Sequence, residues 1–99
     1  MNITINRNDN VLTVALEGRL DTLTSSELEE RLEPELEDTK KLIFDFEELE
    51  YISSAGLRVL LAAAKEMRVL EGEMIVTKVC KEVMDVFNVT GFADFLTIK

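Results

Sequence analysis

Leu42-Ile43-Phe44-Asp45-Phe46 and, after a short acidic stretch, Tyr51-Ile52-Ser53-Ser54-Ala55-Gly56-Leu57 decide the fold of this chain. The first segment is short, aromatic and mostly apolar, which fits an interior strand covered on both faces by helices. Glu47 to Glu50 reads as an acidic turn. From Ala55 onward, Leu57, Leu60, Leu61, Ala64 and Met67 recur at helical spacing, so a helix that buries this stripe follows the strand.

On the N-terminal side, Ile3 to Asn6 alternates weakly, Asn8-Asp9-Asn10 supplies turn residues, and Val11 to Glu17 alternates again. That is the pattern of an antiparallel hairpin. Gly18 to Asp21 breaks it, and Thr24-Ser25-Ser26-Glu27 then has capping-box spacing ahead of Leu28, Leu32 and Leu36, which predicts an acidic amphipathic helix. Pro34 removes one backbone bond of that helix and predicts a kink or an early end. On the C-terminal side, Glu71-Gly72 closes the central helix and Met74-Ile75-Val76 reads as a buried strand. Cys80, Val83, Met84 and Phe87 mark one face of a short third helix before Thr90-Gly91, and Phe95 to Ile98 adds a last short strand. The order β-β-α-β-α-β-α-β predicts an α/β sandwich, one domain over residues 1–99, with a mixed four- to five-stranded sheet whose later strands are parallel.

At 11.2 kDa the folded chain should expose roughly 5,700 Å², enough burial for one core. A single cysteine, Cys80, cannot form an internal disulfide, and Met1 to Arg7 has no signal pattern, so a reducing, cytoplasmic location is expected. The longest apolar run, Val59 to Ala64, is far short of the ~20 residues of a membrane span. Eleven Lys and Arg against twenty Asp and Glu leave a net charge of −9, which opposes binding to phosphate backbones and anionic lipid. The expected partners are proteins, with neither nucleic acid nor membrane among them. The chain has no histidine, and so lacks the commonest general base, neutral metal ligand and partner of a nucleophile. No catalytic residue, metal or cofactor is expected. Asp45, Glu47, Glu48 and Glu50 do not supply the loop of spaced oxygens a hard cation needs. Cys80, Met67, Met74 and Met84 need only a packing role.

Ser53 and Ser54 stand at the strand-to-helix junction. A hydroxyl there is a natural N-cap, because it accepts an orphan amide of the first turn. The same place suits a switch, since a phosphate would lie at the positive end of the helix and add roughly −2 charge without unfolding the domain.

Gly18-Arg19-Leu20-Asp21, Leu42 to Phe46, Tyr51 to Leu57 and Phe87-Asn88-Val89-Thr90-Gly91-Phe92 together resemble, in order and spacing, a STAS domain. More narrowly, they resemble the bacterial anti-sigma factor antagonists. The resemblance covers nearly the whole chain. It implies a non-enzymatic protein ligand that binds an anti-sigma factor serine kinase, frees a sigma factor and so activates transcription. In that family the kinase phosphorylates a serine in the motif Asp-Ser-Ser/Ala/Thr-Gly-Leu, which releases the antagonist, and a PP2C-type phosphatase restores it. Setting Gly56-Leu57 on that Gly-Leu puts the acceptor at Ser54, with Ala55 in the variable place. Ser53 stands where the family often has Asp; it is free to cap the helix and is the second choice of acceptor.

The family meets its kinase through the acceptor loop and the neighbouring helix, which implies partner contacts at Asp21, Ser53, Ser54, Ala55, Gly56, Arg58, Ala62 and Lys65. Arg58, Ala62 and Lys65 lie opposite the apolar stripe and should be exposed, a solvated helix face being the alternative. Asp21 reads equally as a turn or cap residue. The C-terminal helix common in the family is expected to be short or absent, and the edge strand at Met1 to Asn6 leaves backbone able to pair, although a monomer is expected. Two other functions stand against the switch. One is an unswitched STAS accessory subunit, as in bacterial lipid-transport ABC assemblies. The other is a Ser53 or Ser54 nucleophile activated by Lys65, for which the chain has no G-x-S-x-G, S-x-x-K or histidine.

Overall fold

Strands β1 (Asn2–Asn8) and β2 (Val11–Leu20) form the antiparallel hairpin, turned by Asn10 and by Asp9, whose φ is 61°. In the computed structural model, which describes residues 1–99, α1 (Thr22–Leu36), β3 (Lys41–Ile52), α2 (Ser54–Val69), β4 (Glu73–Thr77) and α3 (Lys81–Thr90) follow. A 3-10 turn (Phe92–Asp94) then leads into β5 (Thr97–Ile98). The strands lie side by side in chain order, with β1–β2 antiparallel and every later pair parallel, so the sheet is mixed and five-stranded as expected. The accessible surface is 5805 Å², close to the figure set by mass.

Burial alternates along β2 and the first half of β3. Leu12, Val14 and Leu16, with Leu42, Phe44 and Phe46, are inaccessible or nearly so, while Val11, Thr13, Ala15, Lys41, Ile43 and Asp45 between them are half-buried. The helices therefore cover one face of β3, not both. Ile43 hides this in the sequence, since it places a large apolar side chain on the open face and breaks the apolar/polar alternation. Register sets Val14, Phe44 and Val76 beside one another on the covered face.

Glu47 to Glu50 is strand rather than turn. β2 continues alongside to Leu20, and register shifts between Ala15 and Glu17 and between Gly18 and Arg19 let β3 run on to Ile52, with Leu49 and Ile52 buried. Gly18 sits at the second shift with φ 112°, a conformation a Cβ disfavours.

Helix α1 is capped at Asp21, not Thr24. The Asp21 carboxylate accepts from the Thr24 amide at 3.1 Å, and the Thr24 hydroxyl accepts from the Asp21 amide at 2.9 Å, so the reciprocal box spans these two residues. Pro34 does not end the helix, which runs to Leu36. Near a terminus one lost backbone bond matters little, and Arg7 of β1 steadies this end by donating to the Glu35 carbonyl at 2.6 Å. The earlier start leaves Ser25 3% exposed with its hydroxyl unpartnered. Ser25→Ala is expected to stabilise the fold by about 1 kcal/mol, because it removes an unsatisfied buried group and improves helix propensity. Urea denaturation should show a higher midpoint at unchanged slope.

On α2, Leu57, Leu60 and Met67 are buried as the spacing predicts, but Leu61 and Ala64 are half-buried and Val59 and Ala63 replace them. The stripe is rotated because α1 packs along one flank, bringing Leu32 and Leu36 to Val59 and Ala63. Cys80 is the N-cap of α3 and, like Met84, is half-buried against the core as the spacing predicts, with Sγ 3.4 Å from the Leu49 carbonyl. Val83 and Phe87 are the fully buried residues of that helix, Phe87 lying 6.5 Å from Phe46 between ring centroids. The last strand is confined to Thr97–Ile98; Phe95 lies outside it, against Phe92.

Candidate functional site

Leu20 and Ile52 are register partners at the C-terminal ends of adjacent parallel strands. Each is followed at once by a helix N-cap, Asp21 for α1 and Ser53 for α2. Neighbouring strands are about 4.8 Å apart, so the first turns of the two helices emerge side by side, and the Ser53 amide donates to the Leu20 carbonyl at 2.9 Å. Two sets of first-turn amides thus gather at the edge of the sheet where open α/β folds bind their ligands.

Ser53 has the extended backbone of an N-cap, and its Oγ accepts from the Gly56 amide at 3.3 Å. Ser54 is the first helical residue and is exposed. The two adjacent hydroxyls are therefore not equivalent, since one is engaged by the helix and the other stands at the surface. Gly56 is buried, and a Cβ there would meet Ile52 Cγ1 at 2.8 Å and Leu20 Cδ2 at 2.9 Å. Glycine lets the first turn of α2 sit down on both strand ends, which fixes where Ser54 emerges. Ala55 is half-buried, and Arg58, Ala62 and Lys65 are exposed along α2 as their spacing predicts.

Asp21 is half-buried beside this junction. Hydrogen bonds from the Thr24 amide and then the Thr24 hydroxyl hold its carboxyl below the usual value of 3.8. A lowered value stabilises the folded state fully above the unfolded value, and the contribution is lost as pH falls through the folded value. Asp21→Asn keeps a competent cap but has no charge to lose. In thermal melts the wild type should exceed the variant at neutral pH, and the gap should close as pH is lowered below 3.8.

Two features of this edge lie outside the contact residues that the resemblance implied. The Arg19 guanidinium lies 4.1 Å from the centroid of the Tyr51 ring. Their meeting depends on the Arg19–Tyr51 pairing, which exists only because of the register shifts. Leu23, in the first turn of α1, is 82% exposed. Its signal was present, because it falls off the four-residue spacing of Leu28, Leu32 and Leu36.

The family model described as "STAS domain" matches residues 2–99. BtrV of Bordetella bronchiseptica, provisionally named an anti-sigma factor antagonist, is 31% identical over 99 residues, which cover 99% of this chain and 85% of BtrV. The anti-sigma-B factor antagonist of Listeria monocytogenes is 28% identical over 103 residues, covering 100% of this chain and 90% of the relative. Among solved structures, the anti-sigma factor antagonist SpoIIAA in its unphosphorylated form has a TM-score of 0.81 at 16% identity, over 99% of this chain and 87% of that one. Its phosphorylated form, from Bacillus, gives 0.79 at 17% identity, over 99% and 91%. With the family model spanning all but the first residue, the chain belongs to the STAS domain family.

Proposed function

We propose that the protein is an anti-sigma factor antagonist. It binds an anti-sigma factor serine kinase through the junction formed by Asp21, Ser53, Ser54, Ala55 and Gly56 and through Arg58, Ala62 and Lys65, and so frees a sigma factor to activate transcription. Phosphorylation of Ser54 by that kinase switches it off, and a PP2C-type phosphatase restores it. The protein is a single-domain, monomeric, cytoplasmic ligand rather than an enzyme. The observation that carries this reading is the division between the two serines, with Ser53 bonded to Gly56 as the cap and Ser54 exposed beside it. Phosphate on Ser53 would cost the cap, whereas phosphate on Ser54 leaves it intact. The functional names of the relatives support the same reading.

The switch acts on binding. Ser54 and Arg58 are i, i+4 neighbours on α2, so a phosphate on Ser54 lies within reach of the Arg58 guanidinium. It withdraws a cation from the contact surface and adds roughly −2 charge beside it. Mass spectrometry after incubation with the partner kinase and ATP tests the site: one phosphate is expected on the wild type and on Ser53→Ala, and none on Ser54→Ala. Loss in Ser53→Ala alone would move the acceptor by one residue. No phosphate on any of the three would remove the switch.

A further inference from the structure

Helices α1 and α2 enclose a surface cleft of about 610 Å³. Its floor is the packed seam of Leu32 and Leu36 from α1 with Val59 and Ala63 from α2, none more than 7% exposed, and its open apolar surface comes from Ala62 and Leu70 of α2 and its C-cap. Its rims are exposed carboxylates: Glu29, Glu33 and Glu37, four residues apart along α1, with Glu66 opposite on α2. None of the four takes part in an ion pair, which the protein forms at Arg7–Glu35, Lys41–Glu73, Lys78–Glu47 and Lys81–Asp85.

These carboxylates do nothing for the helix that carries them. Like charges at i, i+4 repel one another. Glu33 and Glu37 also lie at the end of α1 where the dipole disfavours anions, and its last turn has no basic residue. An unpaired acidic rim over an apolar floor calls for a ligand that brings both cations and apolar side chains.

We propose that this cleft docks a basic amphipathic helix of a partner protein. The ligand lies along α1 and α2, with apolar side chains at i, i+3 or i+4 and i+7 on the floor and Lys or Arg on both flanks. From Glu29 to Glu37 the rim runs about 12 Å at 1.5 Å per residue, so two to three turns of helix fill it. An added strand finds no edge here, since both walls are helices whose backbone groups are internally bonded. An anionic membrane is repelled by the rim. The cleft shares Ala62 with the face proposed for the kinase; the proposal goes beyond the Ser54 switch because it rests on carboxylates of α1 and takes a ligand of opposite charge to one drawn to Arg58 and Lys65.

The probe is a fluorescent amphipathic peptide of leucine and lysine at helical spacing, titrated by anisotropy against the full chain and mapped by amide chemical shifts. Glu29→Gln/Glu33→Gln/Glu37→Gln is compared with Glu47→Gln/Glu48→Gln/Glu82→Gln, which removes the same charge elsewhere; melting curves show that both are folded. The rim variant should bind about 10-fold or more weakly and the control within about 3-fold of wild type. A peptide with serine in place of leucine should lose a similar factor, and the shifts should centre on Leu32, Leu36 and Ala63. Equal weakening by both triple variants would reduce the effect to diffuse attraction and overturn the proposal. Shifts centred on the open sheet face or on Ser54, or no binding, would also overturn it. So would concentration-dependent self-association that the rim variant abolishes, which would make the occupant a second copy of this chain.

Discussion

Phe46→Ala is expected to cost about 3–5 kcal/mol of folding stability, the range for a fully buried phenylalanine. A domain of this size holds about 5–15 kcal/mol in all, so urea denaturation should place the variant near the edge of unfolding at room temperature. The size of the effect follows from position. Phe46 is 0% exposed, its ring centroid lies 5.7 Å from that of Phe44 and 6.5 Å from that of Phe87, and it therefore joins the covered face of the sheet to α3. Removing the ring opens a cavity between two rigid elements that cannot both close on it. Hydrogen exchange should report the same break, with α3 amides losing protection before those of β2. Phe46→Leu, which keeps most of the volume, should cost about 1.5 kcal/mol or less. A loss below about 1 kcal/mol for the alanine variant would show that the site collapses easily and that α3 does not depend on this contact.

The elements legible in the sequence are those whose pattern is set locally. The hairpin around Asp9 and the strand at Met74 to Val76 stand where turn chemistry and apolar runs put them. What stayed hidden was set by pairing. Glu47, Glu48 and Glu50 read as a turn because strand periodicity fails there, and it fails because two register shifts turn Leu49 and Ile52 inward at a spacing of three. Thr24 and Asp21 both offer a cap, and the end of β2 at Leu20 decides for Asp21 by bringing its carboxylate to the first turn. The candidate site divides the same way. Ser53 and Ser54 marked the junction from residue types alone and Gly56-Leu57 set its register only through the family resemblance, whereas which of the two serines bonds the helix needed the backbone. The acidic face of α1 was readable as acidic, but its use as the rim of a cleft depends on how α2 lies beside it.

If the proposed partner is an anti-sigma factor kinase that meets the protein at Ser54, Ser54→Asp is expected to weaken that binding about 100-fold, equivalent to about 2.7 kcal/mol, while leaving the fold in place. Both halves follow from the position of Ser54 as the first residue of α2, exposed and beside the cap. An anion in the first turn faces the positive end of the helix dipole, which favours it by about 0.3–1 kcal/mol, so the melting temperature should hold or rise slightly. Binding loses because the new carboxylate competes for Arg58 one turn along and presents negative charge to a surface that meets Ser54 neutral. These two causes separate in a double-mutant cycle. If sequestering Arg58 dominates, Arg58→Ala alone weakens binding and Ser54→Asp adds little on top of it. If repulsion from the partner dominates, the two losses add. Isothermal titration of the four proteins against the kinase distinguishes the cases, and wild-type affinity in Ser54→Asp would show that negative charge at this residue does not control binding.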